Sequence, residues 1–192
     1  MSQPKEIFMV RDHLNDIPQY SLPEGYSLRN YCKGDEEKWF EIYKAADQYN
    51  KIYSEMFKEY FGADENKLSQ RQFYLSYNDR VIGTATSWYN ANYHGENIGR
   101  IHWVALHPDH QGQGLSKPLL SSVITRILKL GHEKCYLRTY DVRLRAISLY
   151  LSFGLRPDIH SETDRCLWQG IAERFRELRL EDESVSVLNY LD

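Results

Sequence analysis

The strongest constraint on the fold lies between residues 97 and 131, where an apolar strand-like run meets a turn with two glycines and then an amphipathic helix. Asn97 to His107 reads as a strand. Its alternation would put Ile101, Trp103 and Ala105 on one face and His102, Val104 and Leu106 on the other. Both faces are largely apolar, as in a central strand covered on two sides. Gln111-Gly112-Gln113-Gly114-Leu115-Ser116 follows. Leu115, Leu119, Leu120, Val123, Ile124, Ile127 and Leu128 then recur at helical spacing, with Gly131 as the stop. Pro118 is tolerated because it lies in the first turn. Such a junction leaves N–H groups unbonded at the positive end of a helix dipole, which makes an anion cradle. Two glycines before a helix are a weak signal alone. A P-loop is excluded because no Gly-Lys-Ser/Thr follows at its spacing. A Rossmann fingerprint is excluded because no Gly-x-Gly-x-x-Gly opens a βαβ unit near the N-terminus.

Residues 1–23, punctuated by Pro4, Pro18 and Pro23, read as an irregular wrap with at most one short helix. Tyr26 to Tyr31 is the first expected strand. Asp35 is expected to cap a helix that carries Trp39, Ile42, Tyr43 and Ala46 on one stripe. A second helix, Tyr53 to Phe61, should end at Gly62. Arg71 to Tyr77 and Arg80 to Tyr89 read as antiparallel strands joined across Asn78-Asp79, with Asn90 to Glu96 as a polar loop. Beyond Gly131 come a strand, Cys135 to Tyr140, and a short helix, Arg145 to Phe153, stopped by Gly154. Asp164 to Leu180 is a further helix with Leu167, Ile171, Phe175 and Leu178 on one side, and Val185 to Leu191 a possible last strand. Antiparallel strands followed by a strand–helix–strand–helix unit indicate an α+β or three-layer α/β sandwich, not a doubly wound Rossmann fold.

The 192 residues, 42% apolar and 27% charged, suit a single globular domain. A net charge of −3 gives no electrostatic reason to expect nucleic acid or an anionic membrane as partner. Cys32, Cys135 and Cys166 are scattered and odd in number. No pair has metal-ligand spacing, so reduced thiols in a cytoplasmic protein, without a metal, are the simplest expectation. Met1 to Val10 has no long apolar run, so no signal peptide is expected.

Val104-Ala-Leu-His-Pro-Asp-His-Gln-Gly-Gln-Gly-Leu-Ser-Lys-Pro-Leu-Leu120 resembles the acetyl-CoA-binding motif of the GNAT superfamily of N-acetyltransferases. Ala146-Ile-Ser-Leu-Tyr-Leu-Ser-Phe-Gly154 resembles the helix that follows it in that family. The resemblance covers roughly residues 80–158. It implies one N-acetyltransferase domain over 1–192, with the wrap at 1–23, a core at 24–158 and a helical extension at 159–192. The implied fold is a three-layer sandwich whose mixed, mostly antiparallel sheet is flanked by helices and splays two central parallel strands.

By the same resemblance, acetyl-CoA is the co-substrate, its pyrophosphate seated on Gln111, Gly112, Gln113, Gly114, Leu115 and Ser116. Its pantetheine arm would pair along Leu106 and His107, the Leu106 N–H polarising the thioester carbonyl. Tyr150 matches the family's proton donor to the leaving thiolate. His102 lies four residues before Leu106, where some members carry a catalytic glutamate, and histidine titrates in the right range for a base. A packed strand histidine is the alternative. Arg143 replaces a common asparagine, with Arg145 nearby, and either reaches a phosphate or is solvated. Asp109 and His110 are expected in solvent.

The acceptor would be a primary amine of a small molecule or a peptide. Homodimers are common in the family. Two other readings stay open at this point. One is a CoA-binding regulatory module of the same fold without catalysis. The other is an interaction domain using Trp88, Tyr89 and Tyr93, residues that otherwise border the acceptor cleft or pack locally.

Overall fold

A computed structural model describes residues 3–178 and 187–190 of the 192. In chain order the elements are β1 (Glu6–Arg11), β2 (Tyr26–Asn30), α1 (Asp35–Ala46), α2 (Met56–Phe61), α3 (Glu65–Arg71), β3 (Gln72–Tyr77), β4 (Arg80–Tyr93) and β5 (Glu96–Leu106). A 3-10 turn (Pro108–His110) leads to α4 (Ser116–Lys129), β6 (Cys135–Tyr140), α5 (Leu144–Ser152), β7 (Arg156–Pro157), α6 (Glu162–Leu178) and a 3-10 turn at Val187–Tyr190. The chain divides into two compact units, Asp16–His132 and Met1–Asn15 with Glu133–Asp192.

In the unit Asp16–His132, β2, β3, β4 and β5 form a continuous antiparallel sheet. Successive side chains leave the sheet on opposite sides. Tyr74 of β3 therefore joins Trp39, Ile42 and Tyr43 of α1, Phe57 and Phe61 of α2 and Leu68 of α3 in one core. Its neighbour Phe73 lies under Arg126 of α4, on the other side. Ser87 of β4 donates to the Val123 carbonyl of α4 at 2.9 Å, which fixes the helix to that second face. Sheet and helices thus form three layers within this unit.

The Asn78-Asp79 turn has both residues at positive φ, as a tight two-residue hairpin requires. Asn90 to Glu96 is not the expected loop. β4 and β5 continue to Tyr93 and Glu96, which pair across His94-Gly95, a second tight hairpin. The polar composition there reflects strands exposed at their ends. Helix α3 was also not foreseen, and its start is capped by Asp64, which accepts from the Lys67 N–H at 3.0 Å.

Asp35 is not the cap of α1. Gly34 holds that place at φ 91°, and Asp35 is the first helical residue. Its buried carboxylate accepts from the Cys32 N–H at 2.7 Å, from both terminal nitrogens of Arg29 at 2.6 and 2.9 Å and from Lys38 at 2.9 Å. Burial alone would raise this carboxyl. The bonds from Arg29, Cys32 and Lys38 outweigh burial and hold it below the usual carboxylate range.

In the other unit, β1 pairs antiparallel with β6 from Glu6↔Tyr140 to Arg11↔Cys135, and with β7 at Met9↔Pro157 and Val10↔Arg156. The expected irregular wrap over residues 1–23 is therefore corrected at Glu6–Arg11. The run Ile7 to Val10 is a strand because its partners come from the far end of the chain. Arg11, 5% exposed, donates from Nε to the His13 carbonyl at 2.8 Å and from its other nitrogens to the carbonyls of Asn15 and Phe153. Phe153 ends α5, so the guanidinium satisfies orphan carbonyl density at that helix C-terminus.

Helix α6 starts before the expected Asp164. Ser161 and Asp164 bond reciprocally, the Asp164 N–H donating to Ser161 Oγ at 3.1 Å and Ser161 Oγ to the Asp164 carboxylate at 2.7 Å. The buried stripe is Trp168, Ile171, Ala172 and Phe175, whereas Leu178 is exposed. Leu180, at the end of the expected helix, lies outside the described residues. The expected tail strand is a 3-10 turn over Val187–Tyr190, and Val185, Ser186 and Leu191 lie outside the described residues.

Candidate active site

The unit Asp16–His132 holds the C-terminal end of β5 and the turn into α4. Thr84 faces Ala105 and Thr86 faces His102, so β5 carries one extra residue between these pairs. Within this bulge Trp103 has φ 49°, a left-handed conformation that costs a non-glycine residue about 1 kcal/mol or more. Packing holds it there. Its ring lies 5.2 Å from Trp39, 4.8 Å from Tyr43 and 4.9 Å from Tyr60, centroid to centroid.

The bulge overturns the expected facing of β5. Strict alternation sets His102 opposite Trp103 and Ala105. Its ring instead lies 5.6 Å from both Tyr60 and Phe61 of α2, on the side that Trp103 and Ala105 also meet. One inserted residue moves every later side chain to the other face. His102 is 6% exposed and belongs to this aromatic wall.

The His107 N–H donates to the Ile82 carbonyl at 2.7 Å. In an antiparallel ladder, alternate residues turn their polar groups to the same neighbour. Leu106 therefore directs its N–H and carbonyl away from β4. That carbonyl accepts from Gln111 Nε2 at 3.0 Å. Gly83 sits opposite Leu106 because a Cβ there would lie 2.5 Å from Leu106 Cδ2 and 3.2 Å from the Ala105 carbonyl.

After β5, His107 Nδ1 accepts from the Asp109 N–H at 3.4 Å and starts the 3-10 turn. Gly112 and Gly114 follow at φ 77° and 76°, conformations that suit residues without a Cβ. Among the described residues, nothing lies within 4 Å of the position of a Cβ on either glycine, and Gln111 to Gly114 are exposed. The first bonds of α4 run from Lys117 N–H to Gly114 O at 3.2 Å and from Leu119 N–H to Leu115 O at 3.4 Å. Leu115 is buried and anchors the helix start; half-buried Ser116 is the first helical residue. No acidic side chain lies in this first turn. A bare backbone, helix-start amides and the absence of carboxylate repulsion fit a pyrophosphate.

Of the solvated pair expected in this turn, Asp109 is exposed, but His110 is half-buried with its Nδ1 enclosed and unpartnered among the described residues. It packs against Tyr77 and Tyr26.

Tyr150 and Arg143 belong to the other unit. Tyr150 is buried on α5, beside Ile147 and Leu151. Burial pushes its phenol up, and the Arg143 charge pulls it only part of the way back, so it is protonated at neutral pH. Arg143 holds the N-cap position of α5 and lies over the Tyr140 ring at 5.2 Å, half-buried, whereas Arg145 is exposed. Burial pushes the Cys135 thiol up to about 12, so it is no nucleophile at neutral pH.

Trp88 and Tyr89 pack locally. Lys67 Nζ lies 4.5 Å from the Trp88 centroid and donates to the Tyr89 hydroxyl at 3.0 Å, and Arg71 lies 4.9 Å over Tyr89. Tyr93 meets His94 in the adjoining hairpin. The bulge at Trp103 and the aromatic contacts of His110 were missed in the sequence. A Trp carries no turn signal, and ring contacts between distant segments leave no periodicity.

Residues 35–155 match the model of the acetyltransferase (GNAT) family. The chain is 31% identical over 146 residues to a mycothiol acetyltransferase of Pseudarthrobacter chlorophenolicus, an alignment covering 72% of this chain and 45% of that protein. It spans about half the length of the curated relatives it matches. A GCN5-related N-acetyltransferase from Sphaerobacter thermophilus superimposes with a TM-score of 0.67 at 21% identity, over 82% of this chain and 50% of that one. The ribosomal-protein-S18-alanine N-acetyltransferase from Escherichia coli gives 0.55 at 22% identity, over 67% and 76%. These structures share the expected fold, a mixed sheet flanked by helices. The match over most of the strand, turn and helix elements, with the curated similarity, shows that this chain belongs to the GNAT acetyltransferase family.

Proposed function

We propose that the chain transfers an acetyl group from acetyl-CoA directly to a primary amine of a small molecule or a peptide. Acetyl-CoA would supply the activated acyl carbon as a thioester. The backbone amides of Gln111 to Ser116 would hold the pyrophosphate, and Arg143 would reach a phosphate. Leu106 and His107 would pair with the pantetheine arm. The outward Leu106 N–H is the observation that carries this reading, because a donor aimed away from β4 can meet the carbonyl oxygen where negative charge develops. His102 would accept the proton of the substrate ammonium, freeing the nitrogen lone pair to form the new C–N bond. As the C–S bond breaks, Tyr150 would give its phenolic proton to the sulfur and be restored by the second proton that the acylated nitrogen sheds, a role supported by a phenol that burial keeps protonated. Three free thiols, one of them deeply buried, suit a reducing compartment and support a cytoplasmic setting.

The test is thiol release from acetyl-CoA across amines ranging from small molecules to peptides, since similar proteins are named for mycothiol and for the alanine of a ribosomal protein. Tyr150→Phe should lower kcat by roughly 100-fold or more. Unchanged turnover in that variant removes the acid. Absence of acetyl-CoA binding overturns the whole reading.

A further inference from the structure

The two-glycine turn poses a mechanical question, because glycine backbones have the most freedom to lose. Gln113, flanked by Gly112 and Gly114, is exposed. Its side chain is nevertheless held at both ends. Gln113 Oε1 accepts from the Tyr26 hydroxyl at 2.6 Å, and Gln113 Nε2 reaches the Asp109 carbonyl at 3.4 Å.

Tyr26 is itself fixed. It opens β2 and stands in register with Tyr77 of β3, their rings 4.7 Å apart. His110 closes the group, its ring 5.7 Å from Tyr77 and 6.4 Å edge-on from Tyr26. The preceding Gly25 has φ 83°, and a Cβ there would come within 3.1 Å of the Tyr77 ring. The start of β2, the end of β3 and the 3-10 turn thus form a three-ring brace. One hydroxyl extends from it to the middle of the turn.

We infer that Tyr26 is a positioning residue for the pyrophosphate seat, holding the Gly112–Gly114 turn in its binding shape through the Gln113 side chain. This rests on the assignment of that turn to acetyl-CoA. Tyr26 touches none of the reacting atoms, so its effect belongs in cofactor affinity, not in the chemical step. Without the hydroxyl the turn samples other shapes, and only the competent fraction binds.

The experiment measures acetyl-CoA binding to the full chain by calorimetry, together with KM, kcat, thermal unfolding and hydrogen exchange of the turn amides. Tyr26→Phe keeps the ring and removes only the hydroxyl. It should weaken acetyl-CoA binding about fivefold, the size of one ordinary hydrogen bond. The same factor should appear in KM for acetyl-CoA, with kcat and the unfolding midpoint essentially unmoved and turn-amide exchange faster in the free protein. Gln113→Ala, at an exposed site, should reproduce this, and the double variant should lose no more than either single one. Wild-type affinity in Tyr26→Phe, or fully additive losses in the double variant, overturns the inference while leaving the acetyl-CoA assignment intact. A wild-type chain that does not bind acetyl-CoA overturns that assignment and the inference with it.

Discussion

The Trp103 bulge and the Gly112–Gly114 turn both use left-handed backbone, and they reach it by opposite routes. At Trp103 the conformation is strained, and rings from α1 and α2 hold it in place. At Gly112 and Gly114 the conformation is unstrained, and open space surrounds it. One region uses packing to shape a strand end; the other leaves its backbone bare. The difference shows where side chains determine the backbone and where their absence does.

The largest expected effect lies on the packed side. Trp39 is fully buried against Trp103, Tyr43, Phe57 and Phe61. Trp39→Ala should cost about 3–5 kcal/mol and lower the unfolding midpoint by roughly 10 °C. A loss below about 1 kcal/mol in urea titrations would show that these rings do not support the bulge.

Asp35 comes next, since it anchors the helix that presents Trp39 and Tyr43. Its folded-state pKa is depressed, so its contribution to stability is complete above the unfolded value of about 4 and is lost as pH falls through the folded value. Asp35→Asn should cost roughly 2 kcal/mol at pH 7 and flatten the fall in stability below pH 5. Urea midpoints measured from pH 7 to pH 3 check this. An equally steep acid limb in the variant would place the titration elsewhere.

The smallest effect on stability belongs to the bare turn. Gly112→Ala should cost only about 1 kcal/mol, the strain of a Cβ at positive φ with no clash. KM for acetyl-CoA should nonetheless rise, because the amides it displaces are those assigned to the phosphates. If the variant binds acetyl-CoA as wild type does, the contrast between the two regions loses its functional meaning.

Local signals carried much of the architecture. The strand Cys135–Tyr140, the helix over Ser116–Lys129 and the hairpin at Asn78-Asp79 each follow from nearby patterning, caps and turn residues. So does the two-glycine turn, whose chemistry depends on consecutive residues. β1 was illegible because its partners Cys135–Tyr140 and Arg156–Pro157 lie at the other end of the chain, while Pro4, Pro18 and Pro23 around it suggested irregularity. The His94-Gly95 hairpin was hidden under polar residues that read as a loop.

The sequence by itself determined the strand, the two-glycine turn and the helix after it, because glycine spacing before an amphipathic helix is a local property that sequence records directly. Only the tertiary structure decided which way His102 faces and how the turn is braced. The first depends on a bulge held by rings from α1 and α2, and the second on a tyrosine far upstream meeting Gln113. Both arise from contacts between residues distant in the chain, which no periodicity in one stretch can encode.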